Sequence, residues 1–123
     1  MNDRTPLFRQ IVPVWVVDGR PSSQAFRPFK TDCLSTYDGD MISAEKAYNH
    51  YTEIMGNASA GVASVLVEEF KNEGLSIIED RTPYKEHVSV DYSEIAELSK
   101  RKIISKRLAN ISFSRGWAFK PEG

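Results

Sequence analysis

Arg9, Arg20 and Arg27 enter the chain early, with Ser22, Ser23, Ser35 and Thr36 among or just after them. Guanidinium forks grip phosphate and carboxylate oxygens in pairs, and short hydroxyls complete such sites. His87 follows at the head of HVSVDY. Strand alternation there puts His87, Ser89 and Asp91 on one face and Val88 and Val90 on the other. The valines are expected to meet the core, and the polar face solvent or a site. His87 and Asp91 stand ~13 Å apart at ~3.3 Å per residue, too far for a dyad. Asp91 is therefore read as a helix cap, and His87 as a strand-end residue with some other partner. His50, in NHY, is expected to be exposed. The candidate ligand-binding residues are Arg9, Arg20, Arg27, Ser35, Thr36 and His87. The plainer reading is that Arg9 and Arg27 pair with surface acids and the serines cap turns.

The order of these residues over Leu7 to Glu86 resembles the layout of ADP-ribosyltransferase-like folds. Those place a basic residue on an early strand, a hydroxyl or aromatic on a middle one and an acid on a late one. The resemblance implies a nicotinamide-dinucleotide site around Arg9, Arg20 and Arg27, for which Glu79 and Glu86 both qualify as the late acid.

Other chemistry leaves no mark. With His50, His87 and Cys33 as the only histidines and cysteine, no C-x-x-C, H-x-x-x-H or H-E-x-x-H spacing occurs, so no metal is expected. No cofactor is implied by any motif. Cys33, in TDCLST, reads as a small buried hydrophobe and not as a reactive thiol. There is no G-x-S-x-G elbow and no P-loop.

The C-terminal part is strongly basic. Val65 to Leu98 holds nine acids against three bases, and Ser99 to Lys120 holds seven bases and no acid. The two segments either face each other or the basic one meets an anionic partner. Lys100, Arg101, Lys106 and Arg107 are the candidate partner contacts. Nucleic acid is possible, with Phe113, Trp117 and Phe119 to stack on bases. An overall pI near 6.1 argues for a protein partner instead.

These candidates need a frame. At 123 residues and 41% apolar the chain suits one globular domain, 1–123. MNDRTPLFRQ has no apolar leader and no segment approaches the ~20 apolar residues of a membrane span, so a cytoplasmic protein with no membrane contact is expected. PLFRQIVPVWVV reads as a strand that Pro13 must break or place at an edge. Asp18-Gly19 is a turn. Arg20 to Asp32 reads as a loop with a short extended piece at Gln24 to Phe26. Cys33 to Tyr37 is a strand. Ser43 caps a helix that ends at Gly56. Gly61 to Val67, Leu75 to Glu79 and His87 to Tyr92 are strands, with a polar connection or a single helical turn at Glu68 to Gly74.

Asp91 and Glu94 have capping-box spacing before the last helical region. Its stripe is Ile104, Leu108 and Ile111; Ile95 and Leu98 do not fall on it, so a break or bend is expected near Ser99, and Gly116 ends the helix in a Schellman-like turn. The fold expected is α+β: a small mixed or antiparallel sheet with two main helices packed chiefly on one face. Asp18 to Asp40 is long for a connection, and long ordered loops often carry function. The functional expectation is a small cytoplasmic accessory or regulatory protein that binds a protein partner. The alternatives are a small enzyme or nucleotide-binding protein built around the early arginines, and nucleic-acid binding through the basic helix.

Overall fold

The computed structural model describes residues 1–122. It is an α+β fold on a five-stranded antiparallel sheet of order β5-β1-β4-β7-β6. The strands are β1 (Pro6–Ile11), β4 (Cys33–Asp38), β5 (Gly61–Leu66), β6 (Ser76–Ile78) and β7 (His87–Asp91). β2 (Val16–Val17) and β3 (Arg20–Pro21) form a separate hairpin. Asp18 and Gly19 take φ of 53° and 76° between them. Positive φ at both turn residues matches the twist of a two-residue hairpin. Pro13 ends β1 as its missing N–H requires, and opens a 3-10 turn, Pro13–Trp15.

Pairing is uneven across the sheet. β1 runs beside β5 from Pro6↔Leu66 to Ile11↔Gly61, and β4 beside β7 from Cys33↔Asp91 to Tyr37↔His87. β1 and β4 meet only at Leu7↔Asp38 and Phe8↔Tyr37, then part.

The larger helical mass packs on one face. There Leu7, Ile11, Leu34, Val65, Val88 and Val90 lie in one core with Ile104, Leu108 and Ala109 of α3 (Leu98–Arg115). Val67 and Phe70 of α2 (Val67–Asn72) belong to the same core. The other face carries a smaller cluster of Phe8, Tyr37 and Val62 with Ala47 of α1 (Ala44–Asn49). Ser43 Oγ accepts the Lys46 N–H at 3.2 Å, the expected cap. A π-helical turn, His50–Ile54, continues α1.

Three local expectations are corrected. Gln24 to Phe26 is not extended but part of a 3-10 turn, Ser23–Phe26, with Ala25 and Phe26 fully buried in the α3-side core. Two core residues are too few to show a period inside a polar stretch. Of the two readings of Glu68 to Gly74 the structure takes the helical one, because α2 occupies most of it. Asp91 does not cap the last helix. Its carboxylate accepts the Ser93 N–H at 2.9 Å and the Ser93 hydroxyl at 2.7 Å, a local turn that competes with helix. α3 therefore starts only at Leu98.

Gly116 does end α3, but at φ 89° and ψ 168°, which is not the left-handed helical region of a Schellman turn. The chain leaves extended, and Phe119 bridges Val62. Trp117 lies so close to Gly61 that a Cβ there would sit 2.8 Å from the indole. Among the described residues no helix is long and apolar enough to cross a membrane.

Candidate functional site

Alternation along β4 puts Ser35 and Tyr37 on the α1 side of the sheet, and their partners Ser89 and His87 lie beside them on β7. α1 packs on β5 and β1, at the other end of that face. Ser35 is exposed and His87 buried. His87 Nε2 lies 3.1 Å from Ser35 Oγ, and Nδ1 lies 2.6 Å from Asp80 Oδ1. The second carboxylate oxygen of Asp80 accepts the Ser89 hydroxyl at 2.6 Å. Hydroxyl, imidazole and carboxylate thus form a line running from the surface inward and out to the β6–β7 loop.

Each member is held. Asp80 follows β6 in a loop pinned by Arg81, whose Nη2 lies 2.9 Å from buried Asp38 and 2.6 Å from Glu79. Burial works to raise the Asp80 pKa, but the bonds from Ser89 and His87 outweigh it and hold the carboxyl below its ordinary range. An ionised Asp80 accepts a hydrogen bond from Nδ1–H and so keeps the proton on that nitrogen, which leaves Nε2 free to accept from Ser35. Tyr84 meets His87 edge-on at 5.3 Å and stacks on Tyr37 at 4.8 Å, so aromatic rings fix the imidazole plane.

His50 is not the exposed residue expected. It is half-buried, 4.7 Å edge-on to Tyr84, with Nδ1 2.8 Å from the Tyr37 hydroxyl. Burial, reinforced by Tyr84, pushes the Tyr37 phenol far above its ordinary pKa.

Arg9 sits where β1 and β4 part. Its Nε donates to the Ala25 carbonyl at 2.8 Å and its Nη1 to the Ser35 carbonyl at 3.0 Å. Its guanidinium lies 5.2 Å from the Trp15 ring centre. Burial lowers its pKa to about 10, so it stays charged at neutral pH. Arg20 stacks 5.0 Å over Phe113 of α3, away from this cluster. Arg27 lines a groove next to Trp15. Among the described residues none of these three arginines has a carboxylate within 4.0 Å, whereas Arg4, Arg81, Arg101, Arg107 and Arg115 each do. The plainer reading of the early arginines, pairing with surface acids, is not what the fold makes of them.

Arg9, Ser35 and His87 are therefore brought together, with Arg27 nearby through Trp15, and Arg20 is not. Thr36 stands on the opposite face, fully buried, with its hydroxyl donating to the Val88 carbonyl at 2.8 Å. Glu79 is turned onto Arg81, so the late acid beside the serine is Asp80. Residue types alone passed over Asp80. Its signal was an acid in the short loop between two strands that pair, a loop that must return beside His87.

Cys33 donates to Asp91 Oδ1 at 3.7 Å. Burial and the Asp91 charge push its thiol pKa up, which leaves less thiolate at neutral pH. Alkylation by iodoacetamide at neutral pH is expected to run several-fold slower than for glutathione. Asp91→Asn is expected to speed it, and labelling as fast as glutathione would contradict this account.

The basic helix is largely engaged within the fold. Arg107 pairs with Glu73 at 2.9 Å and Arg115 with Glu69 at 2.8 Å, so the basic and acidic segments do face each other. Arg101 bonds Asp32 at 3.0 Å and the Ile95 carbonyl at 2.7 Å. Lys100 lies 3.8 Å from Glu97. Lys106 alone of the four candidates has no acid partner among the described residues, and it lines a groove with Arg20 and Phe113. Comparison of the chain with protein families, with curated proteins and with solved structures returns no match.

Proposed function

We propose that the chain is a small serine-dependent hydrolase or acyltransferase. Ser35 is its nucleophile, His87 its general base and Asp80 the carboxylate that orients the imidazole. The observation that carries this reading is the unbroken line from exposed Ser35 Oγ through both nitrogens of His87 to Asp80. Three side chains in that relation can perform acyl transfer on any scaffold, because geometry and roles define them. As Ser35 Oγ attacks a substrate carbonyl carbon, its proton passes to His87 Nε2. Collapse of the tetrahedral adduct expels the leaving group, which takes that proton back. Water then repeats the cycle to release the acyl group. Arg9, whose Nη1 donates to the Ser35 carbonyl, holds in place the backbone that carries the nucleophile.

This reading is the enzyme alternative with its acid reassigned to Asp80 and its bond class changed from ADP-ribosyl to acyl. A fluorophosphonate probe, which reacts with activated serines, tests it directly. Mass spectrometry is expected to find one adduct, on Ser35, and loss of that adduct in Asp80→Asn. Folded protein that stays unlabelled at Ser35 sinks the reading. An accessory role with a protein partner keeps one observation in its favour: Leu98 and Ile103 are 70% and 53% exposed on the lysine-rich part of α3. The two readings separate at Ser35→Ala, which removes turnover and leaves any α3 contact intact.

A further inference from the structure

We propose that the groove between the two 3-10 turns binds a planar aromatic anion, the chemistry shared by aromatic carboxylates and nucleoside monophosphates. Its role as the substrate side of the site rests on the Ser35 reading; its occupancy does not. The groove offers about 460 Å³ between Val12, Val14, Trp15, Gln24, Arg27, Pro28 and Phe29. That is the size and mainly apolar character of a small-molecule site.

Among the described residues the only charged one in the wall is Arg27. Its Nε is buried with no hydrogen-bond partner, and its one side-chain bond is a long one from Nη2 to Ser23 Oγ at 3.4 Å. A guanidinium left partly unsatisfied and without a carboxylate is a standing demand for an anion. Phe29 is 81% exposed at the rim with Lys30 Nζ 5.9 Å from its ring centre, which adds a second positive charge. Aromatic faces beside unpaired cations select a flat ring bearing negative charge. The far wall is tied to the strand that carries Ser35 through one side chain, since Trp15 lies against Arg9, and Arg9 Nη1 bonds the Ser35 backbone carbonyl.

Two tryptophans make the test self-controlled, because Trp15 lines the groove and Trp117 packs beside Gly61. Protein labelled with ¹⁵N is titrated with benzoate, with AMP, with inorganic phosphate and with neutral benzyl alcohol. The expected result is a saturable shift of the Trp15 indole N–H with benzoate, AMP or both, and a still Trp117. Phosphate and benzyl alcohol are expected to bind at least ~10-fold more weakly, the effect of losing about one charge-assisted bond or one ring contact. Whichever of benzoate and AMP binds tighter names the source of the anion.

Arg27→Gln is expected to weaken binding ~10-fold or more, and Arg27→Lys less. Spectra of both variants verify folding. No Trp15 shift with either aromatic anion at about 10 mM, or a shift that survives Arg27→Gln unchanged, overturns the proposal. Ser35→Ala is expected to titrate like the parent chain. A filled groove with Ser35 never labelled sinks the hydrolase reading alone, and a labelled Ser35 with an empty groove sinks this one alone.

Discussion

Ser35→Ala is expected to lower turnover of an activated ester such as p-nitrophenyl acetate by ~10³-fold or more, the scale seen when one member of a serine triad is removed. The same variant should melt almost where the parent does. Ser35 is exposed, and truncation of an exposed side chain usually changes stability by no more than about 0.5 kcal/mol. That contrast is the point of choosing it over His87, which is buried beneath Tyr84 and carries structural bonds. Asp80→Asn is expected to lose ~10²- to 10⁴-fold, because an amide no longer enforces the tautomer with its proton on Nδ1.

Acid has a related effect with a defined sign. Asp80 has a lowered folded pKa, so its contribution to stability is complete above the ordinary carboxylate range and is lost as pH falls through the folded value. An ester rate that survives Ser35→Ala within twofold would show the serine to be a bystander; twofold is roughly the scatter such effects carry.

Phe26→Ala is expected to cost ~3–5 kcal/mol, read as a fall in the urea midpoint at constant slope. Phe26 has no exposed surface and belongs to the α3-side core, and the Tyr92 hydroxyl donates to its carbonyl. Removing the ring leaves a cavity between β1 and α3 that neither can close without moving the Ala25 carbonyl, which holds Arg9. For a domain whose whole stability is ~5–15 kcal/mol, that is a large share. Phe29→Ala, three residues on and 81% exposed, is expected to change stability by less than ~0.5 kcal/mol. Equal effects at the two positions would mean that the polar stretch is not inserted into the core.

The pair Phe26 and Phe29 shows where sequence reading stopped. Both sit in one irregular, polar segment, and nothing in their neighbours says which is core and which is rim. Strands with clear alternation or apolar runs, such as HVSVDY and GVASVLV, were legible because burial imposes a period on them. The Pro13 break and the Ser43 cap were legible because backbone chemistry imposes them. α3 was placed by its stripe, and the residues that miss the stripe marked a break near Ser99, close to its start at Leu98; the Asp91 cap was misread, because that carboxylate bonds Ser93 and opens no helix. At the site, Ser35 and His87 were picked by residue type, and so were Arg20 and Thr36, which the fold sends elsewhere. Asp80 was missed because residue type alone does not single it out: its role depends on β6 and β7 pairing so that one loop turns back on their polar face.

The brief contact of β1 with β4 has a mechanical corollary. Six residue pairs tie β1 to β5 and five tie β4 to β7, against two across the middle. The sheet is thus two ribbons sewn together at one end, with a cationic stitch at Arg9 where the thread runs out. Ser35, His87 and Asp80 ride on one ribbon, while Trp15 extends from the other. Amide exchange should accordingly find two cooperative blocks that meet at this seam. Any ligand spanning the seam would slow opening of both blocks at once.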